Sequence, residues 1–253
     1  MKKIIIVLLC VFSILIGYIA YNISGGVSGL REDIGLEIKA RSNPKLRTIL
    51  NNKDQYPDAM IQSLYRNEEL IDFVYNYPSK KGHVYTDTIG PVTKGRYPLL
   101  LQYDQRWGYG KYGYNVIGMN GCGPTSAAMI IAGLTGRNNI TPFDVASYAY
   151  SHGYYQDGTS WAFFTEGMKH YGIHGRNIPF SYSSMKNEIV NGRPLICSMK
   201  PGDFTTTGHL IVIRGMKQGM FIVNDPNSIK RSNRLWSYDA LSKQIRNIWS
   251  FSR

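Results

Sequence analysis

The chain has 253 residues, 43% of them hydrophobic, and its 29 lysines and arginines against 17 acidic residues give a net charge of +12. This length accommodates one enzyme-sized domain with additional segments, and the hydrophobic fraction is ordinary for a soluble globular core. The basic residues form no run with interleaved aromatics, and the sequence has no zinc-finger or helix-turn-helix spacing. Nucleic acid is therefore not an expected partner, whereas the basic charge favours an anionic polymer.

The N-terminus is predicted to be a membrane anchor. Lys2 and Lys3 precede an uncharged, largely apolar run over residues 4–21, and the next charged residue is Arg31. Such a run is close to the shortest helix that spans about 30 Å of hydrocarbon, and the preceding positive charge directs the rest of the chain out of the cytoplasm. We therefore expect residues 1–21 to be the signal anchor of a single-pass protein whose main domain is extracellular. Cleavage near residues 24–26, giving a secreted protein, is the alternative.

A small helical segment is predicted over residues 44–78, between linkers at residues 22–43 and 79–96. Its helices would begin at Asn43-Pro44, Pro57 and Asn67, and the third would end before Pro78. The segment could be a stalk, a docking module, an inhibitory pro-region or a packing appendage of the following domain.

Residues 97–253 are predicted to form an α+β domain, because helical patterns come first and strand patterns follow. Short apolar or β-branched runs separated by glycines predict the strands. The predicted helices begin at Gly123-Pro124, Thr141-Pro142, Thr159 (to His170) and Ser184 (to Val190), with a last one at Tyr238–Arg246; the predicted strands are Pro194–Met199, His209–Arg214 and Met220–Asn224.

Cys122 is the candidate nucleophile. It lies in the run GCGPTS at residues 121–126, directly before an apolar stretch that predicts a buried helix. A helix N-terminus and a nearby imidazolium both favour the thiolate, which is the reactive form of a cysteine. Gly121 and Gly123 keep bulk away from the sulfur, and the N–H of Cys122 could stabilise an oxyanion. A buried helix-cap cysteine is the competing interpretation.

His209 and Asp225 are the candidate base and orienting carboxylate. His209 begins one predicted strand and Asp225 ends the next, so an antiparallel pair would bring the two side chains together. The carboxylate would then fix the tautomer and orientation of the imidazole. A hydrogen-bonded core histidine and an Asn-Asp turn are the competing interpretations.

No metal or other cofactor is expected, because no paired histidines or cysteines occur at ligand spacing with a suitable acid. Cys197 is interpreted as a small core residue in the middle of a strand. A disulfide between Cys122 and Cys197 is the open alternative, since exported proteins permit one.

The chain resembles the papain-fold cysteine peptidases of the bacteriocin-processing, double-glycine leader type, and in particular their stand-alone branch in Gram-positive bacteria. The resemblance covers about residues 97–253. Its motifs are PLLLQ (98–102), Trp107, GCGPTS (121–126), GHLIV (208–212) and NDP (224–226). It implies a papain-like fold, with Cys122 as nucleophile, His209 as base and Asp225 as orienter.

The same resemblance implies that the Gln102 amide is the second oxyanion donor. Compact members of the family place this glutamine six residues before the cysteine, where this chain has Val116, so a longer loop through residues 109–114 is implied. Gln105 is the competing candidate.

The predicted function is an exported, membrane-tethered cysteine peptidase that acts on a peptide or protein through an acyl-enzyme. A wall-remodelling amidase or endopeptidase, held near an anionic cell-wall polymer by its basic charge, is the first alternative. A peptide-binding protein that retains the fold without turnover is the second.

Overall fold

The computed structural model describes residues 34–253. The expected anchor at residues 1–21 and most of the first linker therefore lie outside the described residues. Among residues 34–253, no helix is both long and apolar enough to span a membrane. The chain divides into two compact units, Met1–Tyr75 and Asn76–Arg253.

The described part of the first unit is helical, as the sequence predicts. Residues 34–40 form α1, and Pro44–Asn51, Asp58–Leu64 and Ile71–Lys80 form α2, α3 and α4. The Asn43 side chain caps α2 by accepting a hydrogen bond from the N–H of Leu46, and the Asn67 side chain accepts one from the N–H of Glu69. The predicted end before Pro78 is wrong, because α4 includes Pro78. Proline lacks a backbone N–H, so at this position it removes one backbone hydrogen bond of the helix. The two residues after Pro78 still belong to α4.

A six-stranded antiparallel sheet is the centre of the second unit. Its strand order is β3-β8-β4-β5-β6-β7, and a separate hairpin pairs β1 with β2. The strands are β1 Lys111–Tyr112, β2 Asn115–Val116, β3 His174–Asn177, β4 Leu195–Met199, β5 His209–Lys217, β6 Met220–Asn224, β7 Leu235–Trp236 and β8 Ile245–Ser252. This hairpin overlaps the loop through residues 109–114 that the family resemblance implies to be long.

Helices cover both faces of the sheet. The helices of this unit are α5 Ile117–Asn120, α6 Cys122–Thr135, α7 Pro142–Ser151, α8 Ala162–Thr165, α9 Tyr182–Val190, α10 Ile229–Ser232 and α11 Tyr238–Ser242. On one face, Leu210 and Val212 of β5 join a core with the buried residues of α6 and α7. On the other face, Ile211 and Ile213 join a core with Met185 of α9 and Leu241 of α11. Because β5 is buried on both faces, its sequence is a continuous apolar run rather than an alternating one.

The prediction of an α+β domain is confirmed, but two of its helices are wrong in extent. The predicted helix Tyr238–Arg246 ends at Ser242, and the chain then enters β8 at Ile245. The apolar residues of β8 pair with both β3 and β4, which are distant in sequence, so local periodicity does not indicate their partners. The predicted helix Thr159–His170 is instead α8 followed by a 3-10 turn over Gly167–Tyr171.

The segment expected to be a second linker, residues 79–96, is bonded to the rest of its unit. The N–H of Tyr85 donates to Arg106, that of Ile89 to Asn138, and that of Gly95 to Gly133. Ile89 is also buried in the core around α6.

Candidate active site

Cys122 is the first residue of α6. The helix begins after Gly121 and ends at Gly136, which adopts a left-handed conformation (φ 78°). All residues from Gly123 to Gly133 are buried, so the apolar sequence of this helix holds its N-terminus in the interior, while Cys122 itself stays partly exposed. Cys122 is therefore a partly exposed thiol at the positive end of a 14-residue helix.

Two glycines permit this placement, each for a different reason. A Cβ on Gly121 would lie 2.5 Å from the carbonyl oxygen of Ile117, so the turn before the helix excludes a side chain. A Cβ on Gly123 would lie 2.2 Å from Oγ1 of Thr159, whose hydroxyl is hydrogen-bonded to that of Tyr112 at 2.8 Å. The Tyr112–Thr159 pair thus packs directly against the first turn of α6, a contact that the sequence analysis did not find.

The register of β5 and β6 brings His209 and Asp225 together. The two strands are antiparallel and Val212 is paired with Asn224, so the first residues of β5 and the residue that follows β6 lie at the same end of the sheet. The Nε2 atom of His209 lies 2.7 Å from Oδ1 of Asp225, and both side chains are buried.

The pKa of His209 is raised from 6.5 to about 9. Burial acts to lower this pKa, but the Asp225 carboxylate and the hydrogen bond and charge of Cys122 together outweigh it. Since Nε2 is bonded to Asp225, the ring nitrogen left for the sulfur is Nδ1. Both the Asp225 carboxylate and Cys122 favour the protonated form of this imidazole.

The structure adds Arg231 to this group, a residue that the sequence analysis missed. Its Nε atom donates to Oδ2 of Asp225 at 2.5 Å. Burial acts to raise the pKa of Asp225, but the charges and hydrogen bonds of His209 and Arg231 hold it below its usual value. The only local signal for Arg231 was its position six residues after Asp225, in a short basic stretch that also reads as a solvated surface.

The two candidate glutamines lie in different surroundings. The backbone N–H of Gln102 donates to Pro226, beside Asp225, and its side-chain Nε2 donates to the carbonyl oxygens of Gly118 (2.9 Å) and Met119 (3.3 Å). Gln102 therefore connects the end of β6 with the segment that precedes Cys122. The Gln105 side chain instead accepts from Asn76 and Lys80 of α4.

The remaining candidates of the sequence lie elsewhere. Cys197 is fully buried in β4, burial strongly raises the pKa of its thiol, and neither it nor Cys122 forms a disulfide. His152 and His170 both stack on the ring of Tyr148. Within residues 34–253 there is no group of three His, Cys, Asp or Glu side chains suited to a metal ion.

A partly exposed thiol at a helix N-terminus, and a buried pair of imidazole and carboxylate on an antiparallel sheet, are the groups that a cysteine peptidase uses. Residues 94–252 match the Peptidase_C39 like family, which covers more than half of the chain. The chain belongs to this family, and the protein is a cysteine peptidase.

Three solved structures are similar to this chain. The first is the peptidase domain of Streptococcus ComA, a bifunctional ABC transporter of a quorum-sensing pathway, with 18% identity over 62% of this chain and 96% of that chain (TM-score 0.42). A C39-like peptidase of Bacillus anthracis shares 14% identity over 64% and 98% of the two chains (TM-score 0.39). A double-glycine motif protease from an AMS/PCAT transporter, in complex with a leader peptide, shares 14% over 64% and 95% (TM-score 0.33). No curated protein matches the chain.

Proposed function

We propose that the protein is an exported, membrane-tethered peptidase that hydrolyses peptide bonds through a triad of Cys122, His209 and Asp225. The proposal rests on the bond between His209 and Asp225 at 2.7 Å, and on Cys122, whose hydrogen bond and charge help to raise the pKa of the same imidazole. A protonated imidazole beside a thiol at a helix N-terminus favours the ion pair of thiolate and imidazolium that attacks a carbonyl carbon.

In the first half of the reaction, the Cys122 sulfur attacks the scissile carbonyl carbon and a tetrahedral intermediate forms. The backbone N–H of Cys122, and one N–H of the Gln102 amide, stabilise the negative charge on the carbonyl oxygen. Since both hydrogens of that amide donate to Gly118 and Met119, the longer bond to Met119 is the one that gives way. His209 then transfers its proton to the departing amine, and the C–N bond breaks to leave a thioester on Cys122.

In the second half, neutral His209 accepts a proton from a water molecule, which attacks the thioester carbonyl carbon. The C–S bond breaks, the carboxylic acid product departs, and the sulfur is returned as a thiolate beside the imidazolium. Asp225 keeps the ring oriented through both halves because its carboxylate is fixed on Nε2.

A peptide or protein substrate follows from membership in a peptidase family. The extracellular location rests on Lys2 and Lys3 before the apolar run at residues 4–21. A net charge of +12 would hold a tethered enzyme near an anionic cell-wall polymer, which is also the feature that favours the wall amidase as the second candidate function.

The triad is tested by alkylation of Cys122 together with cleavage of a peptide library. We expect iodoacetamide to modify Cys122 rapidly at neutral pH and to abolish cleavage, and Cys122→Ala and His209→Ala to cleave no peptide. Cys197→Ala is the matched control, because it removes the other thiol of the described residues without touching the site. Rapid modification of Cys122 that persists unchanged in His209→Ala would contradict the activated ion pair.

Substrate and location need separate assays. Purified cell walls that are solubilised by the wild type but not by Cys122→Ala, with no peptide cleaved, would establish the wall amidase instead. Rapid alkylation without hydrolysis of either substrate would leave a binding protein. For the location, proteinase added to intact cells should digest the domain and leave a membrane-bound N-terminal fragment; protection of the domain would contradict the proposed extracellular side.

A further inference from the structure

Arg231 lies against the one oxygen of Asp225 that His209 does not use. Its Nε donates to Oδ2, while His209 is bonded to Oδ1, so the carboxylate is held between two cationic groups. The Arg231 side chain is 19% exposed and that of Asp225 is fully buried. Nη2 of Arg231 is buried and has no hydrogen-bond partner among the described residues, so the contact with Asp225 is the principal polar bond of this guanidinium.

The surroundings hold Arg231 in this place. It belongs to α10, whose first turn is capped by the Ser228 side chain, and the carbonyl oxygen of Arg231 accepts from Nε1 of the buried Trp236. The guanidinium lies 6.0 Å from the ring of Phe204, in the loop that precedes His209, and that ring packs on Trp236 at 4.3 Å. A side chain fixed by its backbone, a ring and a carboxylate is oriented before any substrate binds.

A buried carboxylate needs compensating charge. Asp225 is faced by His209 from β5 and by Arg231 from α10, and His209 is faced in turn by Cys122 from α6. When a substrate's leaving group takes the proton of His209, the imidazole becomes neutral and Asp225 loses one of its two cationic partners. The Arg231 guanidinium is the cationic partner that remains, because a guanidinium takes no part in this proton transfer.

We propose that Arg231 is a positioning residue of the triad, which holds the second oxygen of Asp225 and offsets its charge, so that His209 releases its proton more readily. This inference rests on the proposed function. Without the guanidinium, the full negative charge of Asp225 would act on His209, and the imidazolium would persist to higher pH.

The test is the NMR titration of the His209 ring, together with the pH profile of kcat/KM on a peptide that the wild type cleaves. We expect Arg231→Gln to displace the His209 titration and the alkaline limb of kcat/KM upward by about one pH unit, the order expected for one unit charge removed at close range in a buried site. We expect Arg231→Lys, which keeps the charge, to restore most of the wild-type profile. Arg234→Gln is the matched control, since it removes the same charge from an exposed side chain that contacts Trp236 rather than Asp225.

Each outcome decides the matter. An Arg231→Gln profile that coincides with the wild type, or a loss of activity with an unmoved His209 titration, overturns the inference while leaving the triad intact. If wild-type Cys122 shows no enhanced alkylation, it is the proposed function that fails. If Arg231→Gln does not fold, the double variant Asp225→Asn, Arg231→Gln decides: its folding supports the inference, because no buried carboxylate is left uncompensated, and its failure to fold overturns it.

Discussion

Gln102 and Gln105 are three residues apart and chemically identical, yet only one contacts the site. The Gln102 amide donates to the segment directly before Cys122, whereas Gln105 bonds to Asn76 and Lys80. The Gln102 side chain is buried, and its backbone N–H donates to Pro226, the residue after Asp225. The choice between them depends on where each backbone position lies in the fold.

We therefore predict opposite results for their alanine variants. Gln102→Ala should lower kcat by about 10²–10³-fold with little change in KM, as expected for the loss of one oxyanion donor. Gln105→Ala should keep a kcat close to that of the wild type. Steady-state kinetics on a cleaved peptide measure both, and equal losses in the two variants would exclude Gln102 as the specific donor.

The His209–Asp225 pair predicts a pH dependence of stability. The folded-state pKa of His209 is raised from 6.5 to about 9, so its stabilising contribution is complete below pH 6.5 and is lost as the pH rises towards 9. We expect the free energy of unfolding to fall by on the order of 3 kcal/mol across this window. Urea unfolding from pH 6 to pH 10 measures it. Asp225→Asn should show a much flatter dependence, and an equally steep one would mean that the pair is not its source.

At the scale of elements, the first turn of α6 is held by a contact with a loop far along the chain. The space for a side chain at Gly123 is filled by Thr159, which is tied to Tyr112 of β1. The N-terminus of the helix, and with it Cys122, is thus located by the Tyr112–Thr159 pair as well as by its own apolar core.

This contact predicts that Gly123→Ala impairs catalysis although alanine favours a helix. The added methyl group must displace Thr159, and a shift of about 1 Å in the nucleophile would lower kcat/KM by about 10²-fold. Gly208→Ala is the control, since a Cβ there meets no atom within 4 Å, although Gly208 directly precedes His209. Kinetics that are unchanged in Gly123→Ala would show that the loop yields without moving the helix.

Glu188 of α9 joins the helix to two strands of the sheet. Its buried carboxylate accepts hydrogen bonds from Arg193, from Arg176 of β3 and from Ser250 of β8. Burial acts to raise the pKa of Glu188, but these partners lower it from 4.5 to about 2. The stability that they add is therefore present above pH 4.5 and is lost as the pH falls towards 2.

We predict that Glu188→Gln lowers the free energy of unfolding at pH 7 by about 1–3 kcal/mol, because two arginines and a buried hydroxyl lose a charged acceptor. Glu166→Gln should change it by less than about 1 kcal/mol, since the Glu166–Lys169 pair is exposed. Denaturant unfolding of both variants gives the comparison. Equal effects would mean that the buried network adds nothing beyond a surface ion pair.

At the scale of the whole molecule, the peptidase unit begins before its motifs do. Residues 82–95 carry backbone hydrogen bonds to the body of this unit, and Ile89 is buried in its core. We predict that a chain of residues 76–253 is more stable than one of residues 97–253. Burial of one isoleucine is worth about 1.5–3 kcal/mol, so the melting temperature of the shorter chain should be lower by about 4–8 °C. Identical melting temperatures would show that this segment is only a linker.

Much of the site was predictable because each of its main residues lies in a local context that the sequence displays. A glycine-flanked cysteine before an apolar run predicts the start of a helix. A histidine directly before an apolar run predicts the start of a strand, and an aspartate directly after one predicts the end of a strand. The helix from Cys122, the strands from His209 and to Asn224, and the α+β class are confirmed on this basis. These features depend on backbone preferences within a few residues.

Other features were decided only by the tertiary structure. The sequence did not indicate that Arg231 bonds to Asp225, that Thr159 packs on Gly123, or that the residues after Lys243 form a strand between β3 and β4. Each of these contacts joins two side chains or two strands. Neither the local periodicity of the sequence nor a capping pattern indicates which residue or strand the partner is. The sequence by itself determined the helix and strand ends on which the proposed catalytic residues lie. The tertiary structure decided which neighbours contact those residues, because charge and packing act between segments that only the folded chain brings together.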